Sequence, residues 1–301
     1  MTDSVHTPFT HPSLEAAYQQ CHELTREHYE NFPVARLVPK TIRPHVSAIY
    51  AFARTSDDLA DENWDTPDGP TPDQRLADLD AFATELVAAT QDQPLRRPEW
   101  AWIFVALADT VRKCDLPLHL FTDLLSAFKQ DVTTLRYATF DDILDYCRRS
   151  ANPIGRLVLL LHGYRDEQLF QWSDQICTAL QLANFWQDVS IDIKKNRIYI
   201  PQVDLTRFGV TETMLTQPKA TQAYKDCLKF QVDRTYELFK QGRVLSRHLK
   251  FPLSMEIRLT WLGGQTILDK IIEQDYDTVE LRPKLNAKDK VNLLRKAAFT
   301  R

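Results

Sequence analysis

The stretch Gln181-Leu-Ala-Asn-Phe-Trp-Gln-Asp-Val-Ser-Ile-Asp-Ile-Lys-Lys-Asn-Arg-Ile-Tyr-Ile-Pro201 places a row of oxygen-bearing side chains in an otherwise apolar sequence. Asn184, Asp188 and Asp192 recur every four residues, and Gln181 lies about one helical turn earlier. A helix would therefore carry all four side chains on one face, with hydrophobic side chains around them. Because a polar stripe in an apolar helix needs a partner, this stretch predicts a helical fold with a binding site on this face.

A second group of acids ends the stretch Ala48-Ile-Tyr-Ala-Phe-Ala-Arg-Thr-Ser-Asp-Asp-Leu-Ala-Asp-Glu62. Asp57 and Asp61 lie four residues apart on one helical face, and Asp58 sits beside them. Like charges at this spacing repel, and they repel more strongly when they are desolvated. The group is therefore either a solvated acidic helix end or a cation site. The stripe at 181–192 favours the cation site.

The two stripes offer oxygen ligands alone. Carboxylate and amide oxygens suit a hard cation such as Mg²⁺, which usually keeps water and substrate phosphates as further ligands. Neither stripe contains His or Cys, which argues against zinc, and neither contains the Glu-x-x-His pair of di-iron bundles. Two such stripes on antiparallel helices would form a magnesium site built from aspartates.

Glycine is scarce, with only seven among 301 residues. No GxGxxG or GxxxxGK[ST] pattern can be written anywhere in the sequence, so a phosphate-binding backbone loop is excluded. A phosphate group would have to be bound by side chains or metals. The formal net charge of −4 also argues against a nucleic-acid partner.

Cysteine usage and the hydropathy pattern favour a cytoplasmic protein. The five cysteines are scattered and never spaced as CxxC, which fits a reducing compartment. The first twenty residues lack a basic region followed by an apolar core, and the longest strictly apolar stretch is Leu157 to Leu161. Peripheral contact with a membrane stays open. The sequence sets no oligomeric state.

Apolar residues recur at helical spacing along most of the chain, and no strict alternation indicates a sheet. The predicted helices are Ser13–Glu30, Arg43–Asp61, Asp73–Ala89, Pro98–Lys113, Pro117–Gln130, Phe140–Leu161, Asp166–Ile193, Thr221–Leu249 and Pro252–Gln274. The clearest breaks are at 63–72, 90–97, 201–218 and after Arg282. None resembles a long flexible linker, so residues 1–301 are predicted to form a single all-α domain.

Two aspartate stripes without a glycine loop point to a diphosphate held through magnesium, with the metal stabilising the leaving diphosphate. If ionisation leaves a carbocation, the cavity must exclude nucleophiles and present aromatic faces to the positive charge. The aromatic candidates are Phe32, Tyr50, Phe52, Tyr146, Phe185, Trp186 and Tyr199. Tyr50, Tyr146 and Tyr199 stand nearest the motifs and are preferred.

These residues resemble the trans-head-to-head prenyl synthases, the family of squalene, dehydrosqualene and phytoene synthases. Asp57-Asp-Leu-Ala-Asp61 matches the family's first aspartate-rich motif, and Asn184-x-x-x-Asp188-x-x-x-Asp192 matches the second. Asn196-Arg-Ile-Tyr-Ile-Pro201 is similar to the run that follows it. The resemblance covers most of the chain and implies the isoprenoid synthase fold, a helical bundle around a central prenyl tunnel.

Within that family, four features are similar to the bacterial hydroxysqualene synthases, which act on presqualene diphosphate. The features are Glu30-Asn-Phe-Pro-Val34, Arg43-Pro-His-Val-Ser-Ala-Ile-Tyr-Ala-Phe-Ala-Arg54, Asn152-Pro-Ile-Gly155 and Asn184-Phe-Trp-Gln-Asp188. Phytoene-type relatives usually place Arg where Gln187 stands. The loss of that positive charge fits a site that holds one diphosphate rather than two.

The resemblance also implies roles for individual residues. The implied magnesium ligands are Asp57, Asp58, Asp61, Asn184, Asp188 and Asp192. The implied substrate contacts are Arg54, Phe32, Gln181, Asn184, Arg197, Ala151 and Gly155, the last two at a helix kink beside the tunnel. Asp57, Asp61, Asp188, Asp192, Tyr50, Tyr146 and Tyr199 are the implied catalytic residues.

The implied activity is that of a Mg²⁺-dependent carbon–oxygen lyase in squalene and hopanoid biosynthesis, with no NADPH. Ionisation of presqualene diphosphate would give a cyclopropylcarbinyl cation, which rearranges and is captured by water to give hydroxysqualene. The enzymes before and after it in the squalene route are candidate partners.

Two alternatives stay open. One is a condensing synthase that makes presqualene diphosphate, dehydrosqualene or phytoene from two prenyl diphosphates. The other is a non-catalytic assembly factor on the same fold, a class in which the aspartate motifs tend to be degraded.

Overall fold

The computed structural model describes residues 11–28, 38–62, 66 and 69–299. Within these ranges the chain is helical and contains no strand, and an isolated bridge joins Arg136 to Ile198. This confirms the all-α prediction. Phe32 and the segment 30–34, both singled out from the sequence, lie outside the described residues. The described residues form two compact units, the first lying within 11–132 apart from Val38 and the second made of Val38 with residues 133–299.

The first unit is built around phenylalanine side chains. Phe52, Phe82, Phe104 and Phe121 are fully buried, and neighbouring ring centroids lie 4.6 to 6.4 Å apart. Rings at these separations stabilise a core beyond the area that they bury. The helices of this unit are α1 (Leu14–His28), α2 (Arg43–Asp61), α3 (Pro72–Thr90), α4 (Ala101–Cys114) and α5 (His119–Thr133), with a 3₁₀ turn at Pro98–Trp100.

Helix starts in this unit follow the expected local chemistry. Pro44 occupies the first turn of α2, where its missing N–H has no helical partner to lose. Thr71 caps α3, because its hydroxyl accepts the N–H of Gln74 while the Gln74 side chain accepts the N–H of Thr71. The bounds of α2 agree with the prediction at both ends.

The second unit carries the remaining helices. They are α6 (Phe140–Ser150), α7 (Asn152–Leu161), α8 (Glu167–Gln187), α9 (Val189–Asp192), α10 (Gln202–Arg207), α11 (Gln222–Gly242), α12 (Leu245–His248), α13 (Leu253–Glu273) and α14 (Ala287–Phe299), with 3₁₀ turns at Ile193–Lys195 and Glu212–Thr216.

Helix α8 is the central element of the second unit and contacts α6, α7, α11, α12 and α13. Buried side-chain hydrogen bonds fix two of these contacts. The indole N–H of Trp186 donates to the Thr235 hydroxyl of α11 at 2.8 Å, and the Thr178 hydroxyl donates to Asn152 Oδ1 of α7 at 3.0 Å. Buried polar groups that are paired in this way orient the helices as well as stabilising them.

Several predicted segments differ from the structure. The segment Thr221–Leu249, predicted as one helix, is divided into α11 and α12, with a break at residues 243–244. The segment predicted as one helix, Phe140–Leu161, breaks at Ala151, because Pro153 has no N–H for a helical bond and its ring disfavours continuation. The segment Asp166–Ile193 ends as a regular helix at Gln187. Helices α10 and α14 formed in regions that the sequence marked as turns or tail, where Pro201 and Pro283 suggested irregular chain.

Candidate functional site

The first aspartate motif lies at the end of α2, in the first unit. Arg54, about one turn before the acids, forms ion pairs with them. Its NH2 lies 2.5 Å from Asp58 Oδ1 and 2.9 Å from Glu62 Oε1, and its NH1 lies 3.7 Å from Asp57 Oδ2. The three-, four- and eight-residue spacings put these groups on one helical face. Arg54 thus neutralises part of the repulsion that the sequence predicted.

The acids of the first motif are partly desolvated. Burial raises the pKa of Asp58 to about 6, against the lowering effect of Arg54 and with a further increase from Glu62. Burial also raises the pKa of Tyr50, which stands one turn before Arg54. Burial lowers the pKa of Arg54, but the carboxylates of Asp58, Asp57 and Glu62 outweigh it and hold the pKa above its usual value. Such a site favours an added positive charge.

The second motif lies at the end of α8, in the second unit, and its geometry corrects one prediction. The oxygen stripe does not follow a single helix, because α8 ends at Gln187 and Asp188 is its C-cap residue. Asp192 belongs to the short helix α9, and Asn196 ends the following turn in the left-handed conformation at φ 56°. Asn184 and Asp188 nevertheless meet, since Asn184 Nδ2 donates to Asp188 Oδ2 at 3.0 Å.

Arg282 is a residue of this site that sequence reasoning missed. Its guanidinium contacts both carboxylate oxygens of Asp188, with NH2 3.1 Å from Oδ2. The hydrogen bond to Asp188 raises the pKa of Arg282. The neighbouring Gln187 is buried and donates from Nε2 to the carbonyl of Pro283 at 2.6 Å. The positive charge next to Asp188 therefore comes from Arg282 and not from residue 187.

The segment after the second motif is held by Arg136, which the sequence also did not single out. Arg136 donates to Asn196 Oδ1 at 2.9 Å and to both carboxylate oxygens of Glu212 at 2.7 and 2.8 Å. The N–H groups of Ile198 and Gln202 donate to the carbonyls of Leu135 and Tyr137 at 3.0 and 2.9 Å. Residues 198–202 thus run alongside 135–138.

Four aromatic rings cluster beside the second motif. Phe185 stacks on Tyr199 with centroids 3.7 Å apart and planes inclined by 8°. Tyr146 lies 6.0 Å from Phe185 and 6.2 Å from Tyr199, and Tyr137 lies 5.7 Å from Tyr199. The predicted Tyr146 and Tyr199 are therefore neighbours. Tyr137 was missed because it precedes its helix and carries no periodic signal.

The remaining predicted substrate contacts of the second unit lie close to these elements. Gln181 is half-buried on α8, one turn before Asn184. The backbone N–H of Arg197 donates to the Asp192 carbonyl at 2.8 Å, which folds the chain back after α9. Ala151 is the break between α6 and α7. A Cβ on Gly155 would lie 2.4 Å from Ser173 Oγ, so this glycine faces α8 in tight packing.

The donor set fits a hard divalent cation. The aspartates and Asn184 present oxygen ligands. An arginine already lies against a carboxylate at each motif, which marks both motifs as sites of concentrated negative charge. Within the described ranges, no three His, Cys, Asp or Glu side chains are grouped closely enough to hold a metal by themselves. Mg²⁺ usually binds one or two carboxylates together with water and substrate phosphates.

Comparison with known proteins gives a consistent result. The family model for squalene/phytoene synthase matches residues 24–289. A hydroxysqualene synthase of Rhodopseudomonas palustris is 35% identical over 84% of each chain. A phytoene synthase of Mycobacterium tuberculosis is 30% identical over 78% of this chain and 75% of its own. The crystal structure of squalene synthase HpnC from Alicyclobacillus acidocaldarius matches with a TM-score of 0.78 and 40% identity, over 87% of this chain and 95% of that one.

The all-α architecture and the two aspartate motifs define the isoprenoid synthase class of enzymes, whose members act on prenyl diphosphates. The family match narrows this class. The chain belongs to the squalene/phytoene synthase family.

Proposed function

We propose that the protein is a hydroxysqualene synthase that converts presqualene diphosphate and water into hydroxysqualene and diphosphate. The observation that carries this choice is the order of similarity among curated relatives. Hydroxysqualene synthases of Rhodopseudomonas palustris, Sinorhizobium fredii and Zymomonas mobilis are 34% to 35% identical to the chain. Phytoene synthases are 27% to 30% identical.

The reaction breaks the carbon–oxygen bond to diphosphate and forms a carbon–oxygen bond to water. The bonding pair of the first bond leaves with the diphosphate, and water contributes the pair of the second and then loses a proton to solvent or diphosphate. Magnesium, when bound, supplies Lewis-acid neutralisation of the leaving diphosphate. Asp57, Asp58 and Asp61 would hold it in the first motif. Asn184, Asp188 and Asp192 would hold it in the second.

Arginines next to the acids add to this neutralisation. Arg54 already carries its charge beside three carboxylates, and its raised pKa keeps it protonated throughout the physiological range. Arg282 has the same role at Asp188 in the second motif. A guanidinium with N–H groups beyond those that bind the carboxylate can donate to a phosphate oxygen in the bidentate manner that arginine favours.

The aromatic cluster provides the surroundings that a carbocation requires. Tyr146 is 5% exposed and Tyr137 is 2% exposed, so their rings lie out of bulk water. The Tyr146 ring centroid lies 5.8 Å from that of Tyr137 and 6.0 Å from that of Phe185, and aromatic faces of this kind attract cations. We propose that this cluster stabilises the rearranging cation and admits a water only after rearrangement.

A condensing synthase on the same fold is the competing function. The similarity to the squalene synthase of Alicyclobacillus acidocaldarius, at 40% identity, favours it. Such an enzyme would join two prenyl diphosphates, releasing one diphosphate and a proton if it stops at presqualene diphosphate and a second diphosphate if it proceeds to dehydrosqualene or phytoene. The nature of the substrate therefore separates the two functions.

Replacing one acid in each motif tests whether the chain is an enzyme of this kind. Asp57→Asn and Asp188→Asn should each lower Mg²⁺-dependent turnover of presqualene diphosphate by at least about 100-fold, because each removes charge that faces the leaving group. Asp226→Asn, an exposed acid of α11, is the matched control and should keep full turnover. Circular dichroism would establish that all three variants fold. Full activity in both motif variants would refute the proposal that the aspartate motifs catalyse this reaction, and it would favour a binding role for the chain.

A further inference from the structure

The last described part of the chain, residues 281–299, exposes an unusual amount of apolar surface. Among the residues that the structure describes, six large apolar side chains are more than half exposed, and four of them lie in this segment. They are Leu281 at 63%, Val291 at 65%, Leu294 at 55% and Phe299 at 83% exposed. Clustered exposure of this kind marks an interaction surface, whereas single exposed apolar residues are ordinary.

Helix α14 has two different faces. Leu293 and Ala297 are buried, at 8% and 0% exposed, on the side where α14 contacts α13. At about 100° per residue, Val291, Leu294 and Phe299 fall within an arc of about 140° on the roughly opposite side. Packing within the unit therefore uses one apolar face of α14 and leaves a second one outward. That second face is the one that requires an explanation.

The charge of the segment identifies what the outward face contacts. Residues 281–299 contain six basic residues and one acidic residue, a formal net charge of +5, in a chain whose net charge is −4. The single acid, Asp289, is already engaged, because Lys270 Nζ lies 2.9 Å from its Oδ2 and the N–H of Asn286 donates to it at 2.7 Å. Arg282 pairs with Asp188, and the other five basic residues of the segment are exposed.

The basic side chains surround the apolar arc. Lys290 and Lys296 lie on its two flanks, and Lys288 and Arg295 lie between Val291 and Phe299. All four are exposed. Their long aliphatic stems can lie along apolar surface while the charged ends reach lipid phosphates. A helix with an apolar stripe and lysine-rich flanks is typical of helices that lie in the plane of a membrane interface.

We propose that the outward face of α14 docks on the surface of an anionic phospholipid bilayer. None of the helices in the described ranges is long and apolar enough to cross a membrane, and the docking proposed here requires no such helix. Val291, Leu294 and Phe299 enter the interface, and the basic side chains bind lipid phosphates. A second copy docked through the same face would bring the exposed basic side chains of both copies together, which the charge disfavours.

The docking helix is connected to the candidate site through the chain that precedes it. The same segment begins with Leu281 and Arg282, and Arg282 binds Asp188 of the second motif. The proposed function gives the docking a purpose, since hydroxysqualene and its precursor carry long apolar chains that partition into bilayers. The geometry of the surface does not depend on that function.

Vesicle co-sedimentation of the full chain tests the docking. The chain should bind vesicles that contain phosphatidylglycerol at least about tenfold more tightly than vesicles of phosphatidylcholine alone, and added salt should weaken the binding. Leu294→Ser/Phe299→Ser and Lys290→Gln/Arg295→Gln should each lose most of it. The matched controls are Phe251→Ser, an apolar residue 77% exposed outside the segment, and Lys219→Gln/Lys250→Gln. Both controls should bind as the wild type does.

Three results would overturn the proposal. They are equal binding to both kinds of vesicle, binding that the segment variants retain, and a wild-type dimer in light scattering that Leu294→Ser/Phe299→Ser converts to a monomer. Circular dichroism would show that the variants are folded. Turnover of presqualene diphosphate in detergent micelles should be unchanged in Leu294→Ser/Phe299→Ser, which separates failure of the docking from failure of the proposed function.

Discussion

At the scale of single residues, each aspartate motif contains an arginine that forms an ion pair with an aspartate. Arg54 binds Asp58 at 2.5 Å, and Arg282 contacts both oxygens of Asp188. An ion pair of this kind competes with any metal for the same carboxylate oxygens. The arginine at each motif therefore sets how readily the acid accepts a divalent cation.

Removing Arg282 should expose this competition. We expect Arg282→Gln to bind Mg²⁺ a few-fold more tightly in the absence of substrate, because Asp188 loses a partly buried cationic partner. Titration calorimetry with Mg²⁺ or Mn²⁺ measures this directly. Lys240→Gln, an exposed cation of α11, is the control and should leave the metal affinity unchanged. Weaker metal binding in Arg282→Gln would show that the arginine supports the metal site and does not compete with it.

Glu256 on α13 is a buried acid that serves no role in the proposed reaction. Its Oε2 is buried and has no hydrogen-bond partner among the described residues, and burial raises the pKa of the carboxyl to about 7. Because the unfolded chain releases this proton near its ordinary pKa, the folded state binds more protons between about pH 4.5 and 7. The free energy of unfolding therefore falls as pH rises through that window.

Replacing Glu256 with its neutral isostere Gln should remove this fall in the free energy of unfolding. Glu256→Gln should be more stable than the wild type at pH 8 by about 2 to 3 kcal/mol, and the difference should vanish below about pH 4.5. Urea unfolding at several pH values measures both. Glu237→Gln, an exposed acid of α11, should change stability by only a few tenths of a kcal/mol. If the free energy of unfolding of Glu256→Gln varied with pH as that of the wild type does, the raised pKa of Glu256 would be disproved.

The sequence predicts the local part of the site and fails for the distant part. Asn184 and Asp188 are four residues apart, as are Arg54 and Asp58, and helical spacing alone brings each pair into contact. Arg282 is 94 residues from Asp188, and no periodic pattern connects them. The interruption of α8 at Gln187 was also missed, because Asp188 continues the four-residue spacing although the backbone ends the helix there.

At the scale of elements, the few glycines mark where helices approach α8. A Cβ at Gly155 on α7 would lie 2.4 Å from Ser173 Oγ, and one at Gly242 on α11 would lie 2.8 Å from the Trp172 carbonyl oxygen. A Cβ at Gly264 on α13 would lie 2.7 Å from a methyl group of Leu180. Three helices therefore pack on α8 through a residue without a side chain, and this close packing fixes the helix that carries the second motif.

Gly242→Ala should destabilise the protein by about 1 to 3 kcal/mol, because the new methyl group meets backbone atoms that cannot rotate away. Gly263→Ala is the matched control, since a Cβ there has no neighbour within 4 Å. It should stabilise the helix by up to about 1 kcal/mol. Thermal or urea unfolding of both variants measures the contrast. Equal effects of the two substitutions would show that Gly242 does not limit the approach of the helices.

The bounds of most helices follow from sequence, while their packing does not. Pro44 and the Thr71 capping box place the starts of α2 and α3 where the sequence predicts them. Helix α14 was not predicted, because its apolar residues divide between a buried and an exposed face and so blur the single stripe that periodicity detects. Gly242 carries no sequence signal for the helix that it approaches.

At the scale of the whole molecule, a glycine-poor helical chain provides side chains where other phosphate-binding proteins use backbone loops. Each compact unit carries one aspartate motif with its own arginine, and the second unit also carries an aromatic cluster. The family follows from these motifs and from the comparison with known proteins. The particular substrate is the central claim, because condensing synthases of the same family share both motifs.

Product identification with two substrates tests that claim most directly. The purified chain is incubated with Mg²⁺ and either presqualene diphosphate or farnesyl diphosphate, and the products are identified by mass spectrometry. We expect hydroxysqualene from presqualene diphosphate and no turnover of farnesyl diphosphate alone. A condensed product formed from farnesyl diphosphate alone would contradict it and assign the chain to the condensing synthases.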